Sequence, residues 1–289
     1  MAKLTILGCI TALLTILGAI SSHADTLVER GAYLMNGIVA CGNCHNTRGP
    51  EGRFVEGMEL AGGMVIAEKP FTALVPNITP DMATGIGAWS NAEIITAIRD
   101  GRRPDGSLIG PPMPFSQYRD MSDSDVKAIV AYLRQVPAVA NKVGKSEYRM
   151  ELPPAWGPPV GSVADVSTDD QIAYGGYMAG PLGHCIECHT PMEKGRFDFD
   201  NKAFAGGLHL PVGPELTLTT ANITQDKETG IGAWSDAEIK AAITQGVRPN
   251  GAQLHPIMPS GFYASMTEAD VDALVAFLRT VKPVVNAVR

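Results

Sequence analysis

Two stretches of the chain carry the same helical stripe. Val126, Ile129, Val130 and Leu133 stand at i, i+3, i+4 and i+7, and Val271, Leu274, Val275 and Leu278 repeat that spacing. The period predicts two amphipathic helices, each burying one apolar face, with Tyr132 and Phe277 widening it. Upstream of each, Ser90-Asn-Ala-Glu93 and Ser235-Asp-Ala-Glu238 are capping boxes that open a shorter helix ending near Gly101 or Gly246. Gly31 and Gly175 fall in a first helix of each half, where a missing side chain lets another helix cross closely. The N-terminus follows a different pattern. Lys3, a largely apolar run from Leu4 to Ile20 and the small-residue site Ser22-His23-Ala24 mark residues 1–24 as a signal peptide, so the chain is expected to be exported. Leu7-Gly8-Cys9 also admits a weaker lipoprotein reading, because Cys9 precedes most of the apolar run.

The correspondence between the halves extends well beyond the stripes and reads as an internal duplication. Gly31-Ala-Tyr33 matches Gly175-Gly-Tyr177, and Ala61-Gly62-Gly63 matches Ala205-Gly206-Gly207, at an offset of 144. From Asn77-Ile-Thr79 and Asn222-Ile-Thr224 onward the offset is 145, through Thr84-Gly-Ile-Gly-Ala-Trp89-Ser90 and Thr229-Gly-Ile-Gly-Ala-Trp234-Ser235 to Met113-Pro114 and Met258-Pro259. Between the copies, Leu152-Pro-Pro-Ala-Trp-Gly-Pro-Pro-Val-Gly161 holds four prolines, too many for an ordinary helix, and predicts an extended linker or strap. The two Asn-Ile-Thr triplets fit a glycosylation pattern, but their place in the repeat favours a structural loop.

Composition narrows the partners. Without residues 1–24 the chain has 265 residues, enough for two domains, and its 22 basic against 30 acidic side chains give a formal charge of −8. That balance disfavours nucleic acid and anionic membranes and favours a basic patch on a protein partner. No second apolar stretch is long enough to span a membrane, so no transmembrane span is expected in the mature chain. Aromatic residues make up 6% of the chain, with 31 Gly and 21 Pro, which points to helices joined by ordered loops.

The chemistry lies in Cys41-Gly-Asn-Cys44-His45 and Cys185-Ile-Glu-Cys188-His189. Two thiols three residues apart, followed by an imidazole, form thioethers to a haem and bind its iron, so the two motifs predict two covalently bound haem c groups. The alternative is a metal-binding or redox C-x-x-C with a chance histidine behind it. Cys9 is the one other cysteine and lies in the predicted signal, which leaves no thiol for a disulfide or a catalytic nucleophile.

With these motifs in place, each half resembles a class I cytochrome c domain. The whole resembles the dihaem and multihaem cytochrome subunits that serve periplasmic dehydrogenases of the alcohol dehydrogenase type. The resemblance rests on the attachment motifs, the Asn-Ile-Thr to Trp-Ser stretch and Pro112-Met113-Pro114, and it covers nearly all of residues 25–289. Those subunits often carry a third haem domain and a membrane-binding tail, which are not expected here. The resemblance implies an all-α fold of two tandem domains, 25–150 and 166–289, joined by residues 151–165, with a few helices and long loops around each haem. It also implies a methionine as the second axial ligand. Matched positions before proline select Met113 opposite His45 and Met258 opposite His189, with His255 as a competitor to Met258. Met58, Met64 and Met192 lack matched partners and read as packing residues. Trp89 and Trp234 read as core aromatics or donors to a haem propionate, and Arg103 and Arg248 as propionate partners or solvated loop charges.

The implied role is a periplasmic electron relay and not an enzyme. Its electron donor would be a dehydrogenase of alcohol, aldehyde or sugar type, and its acceptor a downstream cytochrome or terminal oxidase of the respiratory chain. The alternative is a dihaem enzyme such as a peroxidase or a thiosulfate-oxidising cytochrome, and a third class is a haem sensor. Two methionines that close both irons, and no spare cysteine, weigh against these readings.

Overall fold

The computed structural model describes residues 26–212 and 216–288. The proposed signal peptide and Cys9 lie outside the described residues. Each half is built on a crossing of its first and last helices. Helical residues 26–36 (α1) cross α5 (Asp123–Leu133), and α6 (Gln171–Tyr177) crosses α11 (Glu268–Thr280). Glycine makes both crossings feasible, because a Cβ on Gly31 would lie 2.0 Å from the Ala128 carbonyl oxygen and one on Gly175 2.0 Å from that of Ala273. The predicted stripes are the buried faces: Val126, Ile129, Val130 and Leu133, and Val271, Leu274, Val275 and Leu278, all lie in the core.

Both capping boxes form as the sequence predicts. Ser90 opens α3 (Asn91–Arg99) and Ser235 opens α9 (Asp236–Gln245), each hydroxyl accepting from the amide of the glutamate three residues on. The left-handed residues Gly101 (φ 60°) and Gly246 (φ 66°) follow these helices. Single-turn helices α2 (Gly42–His45), α4 (Phe115–Tyr118), α7 (Cys185–Cys188), α8 (Phe199–Lys202) and α10 (Ser260–Tyr263) punctuate the loops. A π-helical turn, Met178–Leu182, joins α6 to the segment leading into α7.

The expectation of an all-α fold needs qualifying, since among the described residues three small antiparallel sheets accompany the helices. β1 (Val65–Glu68) pairs with β2 (Phe71–Leu74), and β2 also pairs with β3 (Glu147–Tyr148). β4 (Met192–Glu193) pairs with β5 (Arg196–Phe197), and β6 (His209–Pro211) with β7 (Thr217–Thr219). Strands of two to four residues carry too few alternating positions for a period-2 signal, and tertiary pairing defines them.

The two halves share one continuous apolar cluster and exchange matching hydrogen bonds. The Tyr33 hydroxyl donates to the Asp270 carboxylate and accepts from the Thr267 amide. Its repeat counterpart, the Tyr177 hydroxyl, donates to Asp125 at 2.8 Å and accepts from the Ser122 amide at 3.0 Å. Tyr33 reaches from the first half into the second, and Tyr177 from the second into the first. The proline-rich segment lies against the first half as a strap. Val160 N–H donates to Asp100, the Ser162 hydroxyl donates to Asp123, and the Arg119 guanidinium donates to the Pro158 carbonyl.

Candidate haem-binding sites

Each attachment motif winds into one helical turn, which places cysteines i and i+3 on the same side with the histidine directly after them. The His45 amide donates to the Cys41 carbonyl and the His189 amide to that of Cys185, both at 2.9 Å. A left-handed residue precedes each turn, Ala40 (φ 47°) in the first half and His184 (φ 41°) in the second. Two non-glycine residues held in that region at matched positions show that the surrounding packing enforces the entry geometry.

The imidazoles are oriented identically. His45 Nδ1 lies 2.9 Å from the Pro76 carbonyl and His189 Nδ1 2.8 Å from the Ala221 carbonyl. A carbonyl can only accept, so Nδ1 carries the proton in each ring and the Nε2 lone pair is left to bind a metal. Burial lowers both histidine pKa values, which keeps the rings neutral. Each histidine's backbone is fixed as well: its carbonyl accepts from Gly62 N–H at 2.7 Å or from Gly206 N–H at 2.6 Å. These glycines take φ 75° and 70°, and a Cβ would run into the backbone of residues 75–76 or 221–222 at about 2.5 Å, which accounts for the repeated Ala-Gly-Gly.

All four motif cysteines are free thiols shielded from solvent. Burial pushes the Cys41, Cys185 and Cys188 thiols up to about 12 and also raises Cys44. A redox C-x-x-C needs the opposite, a stabilised thiolate. Among the described residues no three His, Cys, Asp or Glu side chains converge as metal ligands. A neutral sulfur in a covalent bond suits these positions. Glu187, between the second pair, is likewise raised by burial, to about 7, and its Oε2 has no hydrogen-bond partner.

Met113 and Met258 both pack partly buried against the core, together with Cys41, Ile78 and Trp89 in one half and Cys185, Ile223 and Trp234 in the other. His255 is exposed, and its Nδ1 accepts from the Ile257 amide at 3.1 Å, an arrangement local to its own turn. His184 stacks edge-on to Tyr118 across the junction with centroids 6.0 Å apart, and His209 is exposed beside Thr219. Arg103 donates to the Leu108 carbonyl at 2.7 Å, closing its own loop.

Sequence reasoning missed the arginines that lock the Trp loops. Arg134 and Arg279, at the ends of α5 and α11, donate to the Trp89 and Trp234 carbonyls, and also to Asn91 and Asp236. Their matched positions in the repeat were the available signal. The Asn-Ile-Thr triplets prove structural: Asn77 and Asn222, each 3% exposed, donate to Thr84 and Thr229 and to the carbonyls of Val139 and Val284.

Comparison with known proteins agrees with this geometry. Residues 26–133 match the family described as cytochrome C oxidase, cbb3-type, subunit III, and residues 181–282 match the family described as cytochrome c. The chain is a tandem of two cytochrome c domains. It carries two covalently bound haem c groups, in keeping with its likeness to a diheme cytochrome c-type protein of Cereibacter sphaeroides, 27% identical over 83% of this chain and 81% of that one. It is also similar to the fructose dehydrogenase cytochrome subunit of Gluconobacter japonicus, 32% identical over 90% of this chain and 54% of the relative. The cytochrome c subunit of the quinone alcohol dehydrogenase of Gluconacetobacter polyoxogenes is 30% identical over 90% of this chain and 57% of the relative. The chain spans about half the length of these dehydrogenase subunits.

Proposed function

We propose that this dihaem cytochrome accepts single electrons from a partner dehydrogenase and passes them to a respiratory acceptor, a downstream cytochrome or terminal oxidase. The observation that carries the proposal is the matched pair of sites, each with a neutral imidazole tied through Nδ1 to a backbone carbonyl and a methionine at the same repeat position. Cys41 and Cys44, and Cys185 and Cys188, hold the two haems through thioether bonds. His45 and Met113 are the axial ligands in residues 25–150, and His189 and Met258 those in residues 166–289. When bound, the haem supplies a one-electron iron couple. The polypeptide contributes a soft neutral sulfur and apolar burial, both of which favour the reduced, less charged state and raise the potential. The carbonyl-bound imidazoles change little between the two states, so ligand rearrangement does not slow transfer.

The names of the relatives support a dehydrogenase of alcohol or sugar type as donor. The signal-like residues 1–24 support a periplasmic location, and no helix among the described residues is long and apolar enough to cross a membrane. On this reading the isolated chain is not an enzyme. Stopped-flow mixing with a dehydrogenase of this class and its substrate tests the proposal: both haems should be reduced rapidly, while the chain alone turns over no alcohol, aldehyde, sugar or thiosulfate. Substrate turnover by the isolated chain would defeat it.

A further inference from the structure

The two methionine loops are matched in sequence and differ in what covers them. After β2 pairs with β3, the chain runs back over the first half and meets the loop around Met113 from two sides. The Tyr148 ring lies against Gly110, so close that a Cβ there would be 2.3 Å from Cε1 and 2.4 Å from Cζ. Trp156 Nε1 donates to the Ile109 carbonyl at 2.9 Å, and the Trp156 ring packs on Phe115 with centroids 4.6 Å apart. Behind them Arg102 donates to the Pro154 carbonyl at 3.0 Å, holding the strap down. Residues 109, 110 and 115, on both sides of Met113, are therefore held by aromatic side chains from 38 or more residues further along the chain. In the second half Phe115 is replaced by Ser260 and Gly110 by His255, which is exposed, as are its neighbours Gln253, Pro256 and Ile257.

We propose that Tyr148 and Trp156 are positioning residues that hold the Met113 loop closed and keep its sulfur on the iron. The inference rests on Met113 being the axial ligand. A methionine on a loop dissociates when the loop swings, and the open fraction is set by the contacts that loop must break. A part-buried indole hydrogen bond and an aromatic pair together change that fraction roughly tenfold.

The test uses the holoprotein with both haems attached. In the reduced protein each iron-bound methionine gives its own strongly upfield-shifted methyl resonance, and Met113→Ala and Met258→Ala assign the two. Trp156→Ala should broaden or abolish the Met113 resonance, leave that of Met258 in place, and let carbon monoxide bind one haem about tenfold faster. Trp156→Phe, which keeps the ring on Phe115, should restore most of the closed state. Tyr148→Ala attacks the loop from the Gly110 side and serves if Trp156→Ala does not accumulate as holoprotein. If Trp156→Ala and Tyr148→Ala retain both resonances and exclude carbon monoxide as the parent does, the clamp is wrong. If Met113→Ala removes no resonance, the ligand assignment beneath it is wrong instead.

Discussion

Substituting Gly175 by alanine tests the crossing on which the second half is built. A Cβ at this position would stand 2.0 Å from the Ala273 carbonyl oxygen, 2.7 Å from its carbon and 2.8 Å from Phe277 Cβ, whereas ordinary contact begins at 3.4 Å. Two of these three atoms are backbone of α11, so no rotamer change relieves the clash and the helices must part by about 1 Å. Overpacking of this kind costs about 1–3 kcal/mol, and a rigid backbone obstacle places it at the upper end. Alanine returns about 1 kcal/mol in helix propensity, which leaves a net loss of about 2 kcal/mol. For a domain of this size that lowers the melting temperature by about 8 °C.

The neighbouring Gly176 supplies the control. A Cβ there would meet Phe277 Cδ2 and Cε2 at 3.1 Å, atoms of a ring that can swing aside, so Gly176→Ala should stay within about 1 kcal/mol of the parent. Thermal unfolding of the holoproteins, followed by far-ultraviolet circular dichroism and by the haem Soret band, reads both variants. Because α6 runs through the π-helical turn toward Cys185, the Soret change should appear in the second domain's transition. A Gly175→Ala protein melting within about 2 °C of the parent, or a Gly176→Ala protein that is the less stable of the two, refutes the close-crossing argument.

Met113→Ala and Met258→Ala should each lower one haem potential and admit carbon monoxide at one site, while His255→Ala changes neither; a Met258→Ala protein with unaltered spectrum and potential removes Met258 from the ligand set. Tyr177→Phe should cost about 1.5–3 kcal/mol in denaturant unfolding, since it removes a hydrogen bond to the buried Asp125 carboxylate, which keeps only its Arg30 partner, and takes the acceptor from the Ser122 amide. Tyr33→Phe should cost less because its partner Asp270 is only partly buried, and equal losses would show that burial does not set the difference. Hydrogen bonds from Ser162 and Arg99 hold the Asp123 carboxyl below its ordinary range. Its contribution is therefore present above the unfolded carboxylate pKa and lost as pH falls toward the folded value, so Asp123→Asn should flatten the acid side of a stability-against-pH curve, and an unchanged slope counts against that ion pair.

What could be read from the sequence was local or periodic. The attachment motifs, the capping boxes at Ser90 and Ser235 and the stripes on α5 and α11 are defined by neighbours within seven residues, so residue type and spacing locate them. The duplication added the pairing of equivalent positions. What it could not add was the partner of each. The prolines of residues 152–159 exclude a helix but do not say that Trp156 will rest on Phe115, 41 positions earlier. Tyr33 and Asp270 are 237 residues apart, and only the fold joins them. Arg134 and Arg279 stand at helix ends, and only the fold brings their guanidinium groups onto the Trp89 and Trp234 carbonyls.

The junction between the halves links the duplication to electron transfer. Because each half gives the other an equivalent tyrosine and receives one on an equivalent helix start, the contact has the reciprocal character of a two-fold interface. Such a contact brings like surfaces together, and here the surfaces are the attachment turns. Ile38 Cδ1 lies 2.8 Å from where a Cβ of Gly183 would stand, and Cys44 is near enough to Cys188 to add to the rise of its pKa. Tyr118, from the first half, is buried close to Cys41, Cys44 and Glu187. The symmetry fails away from the junction tyrosines: Glu187 replaces Asn43, His255 replaces Gly110, and the strap covers only the first methionine loop among the described residues. On the proposed reading a relay needs two sites close together, and its direction is set by the donor and acceptor at its two ends. The reciprocal contact supplies the closeness, and the differences in the attachment turns and methionine loops give the two haems unlike surroundings, to which haem potential responds through nearby charge, burial and the hold on the axial sulfur.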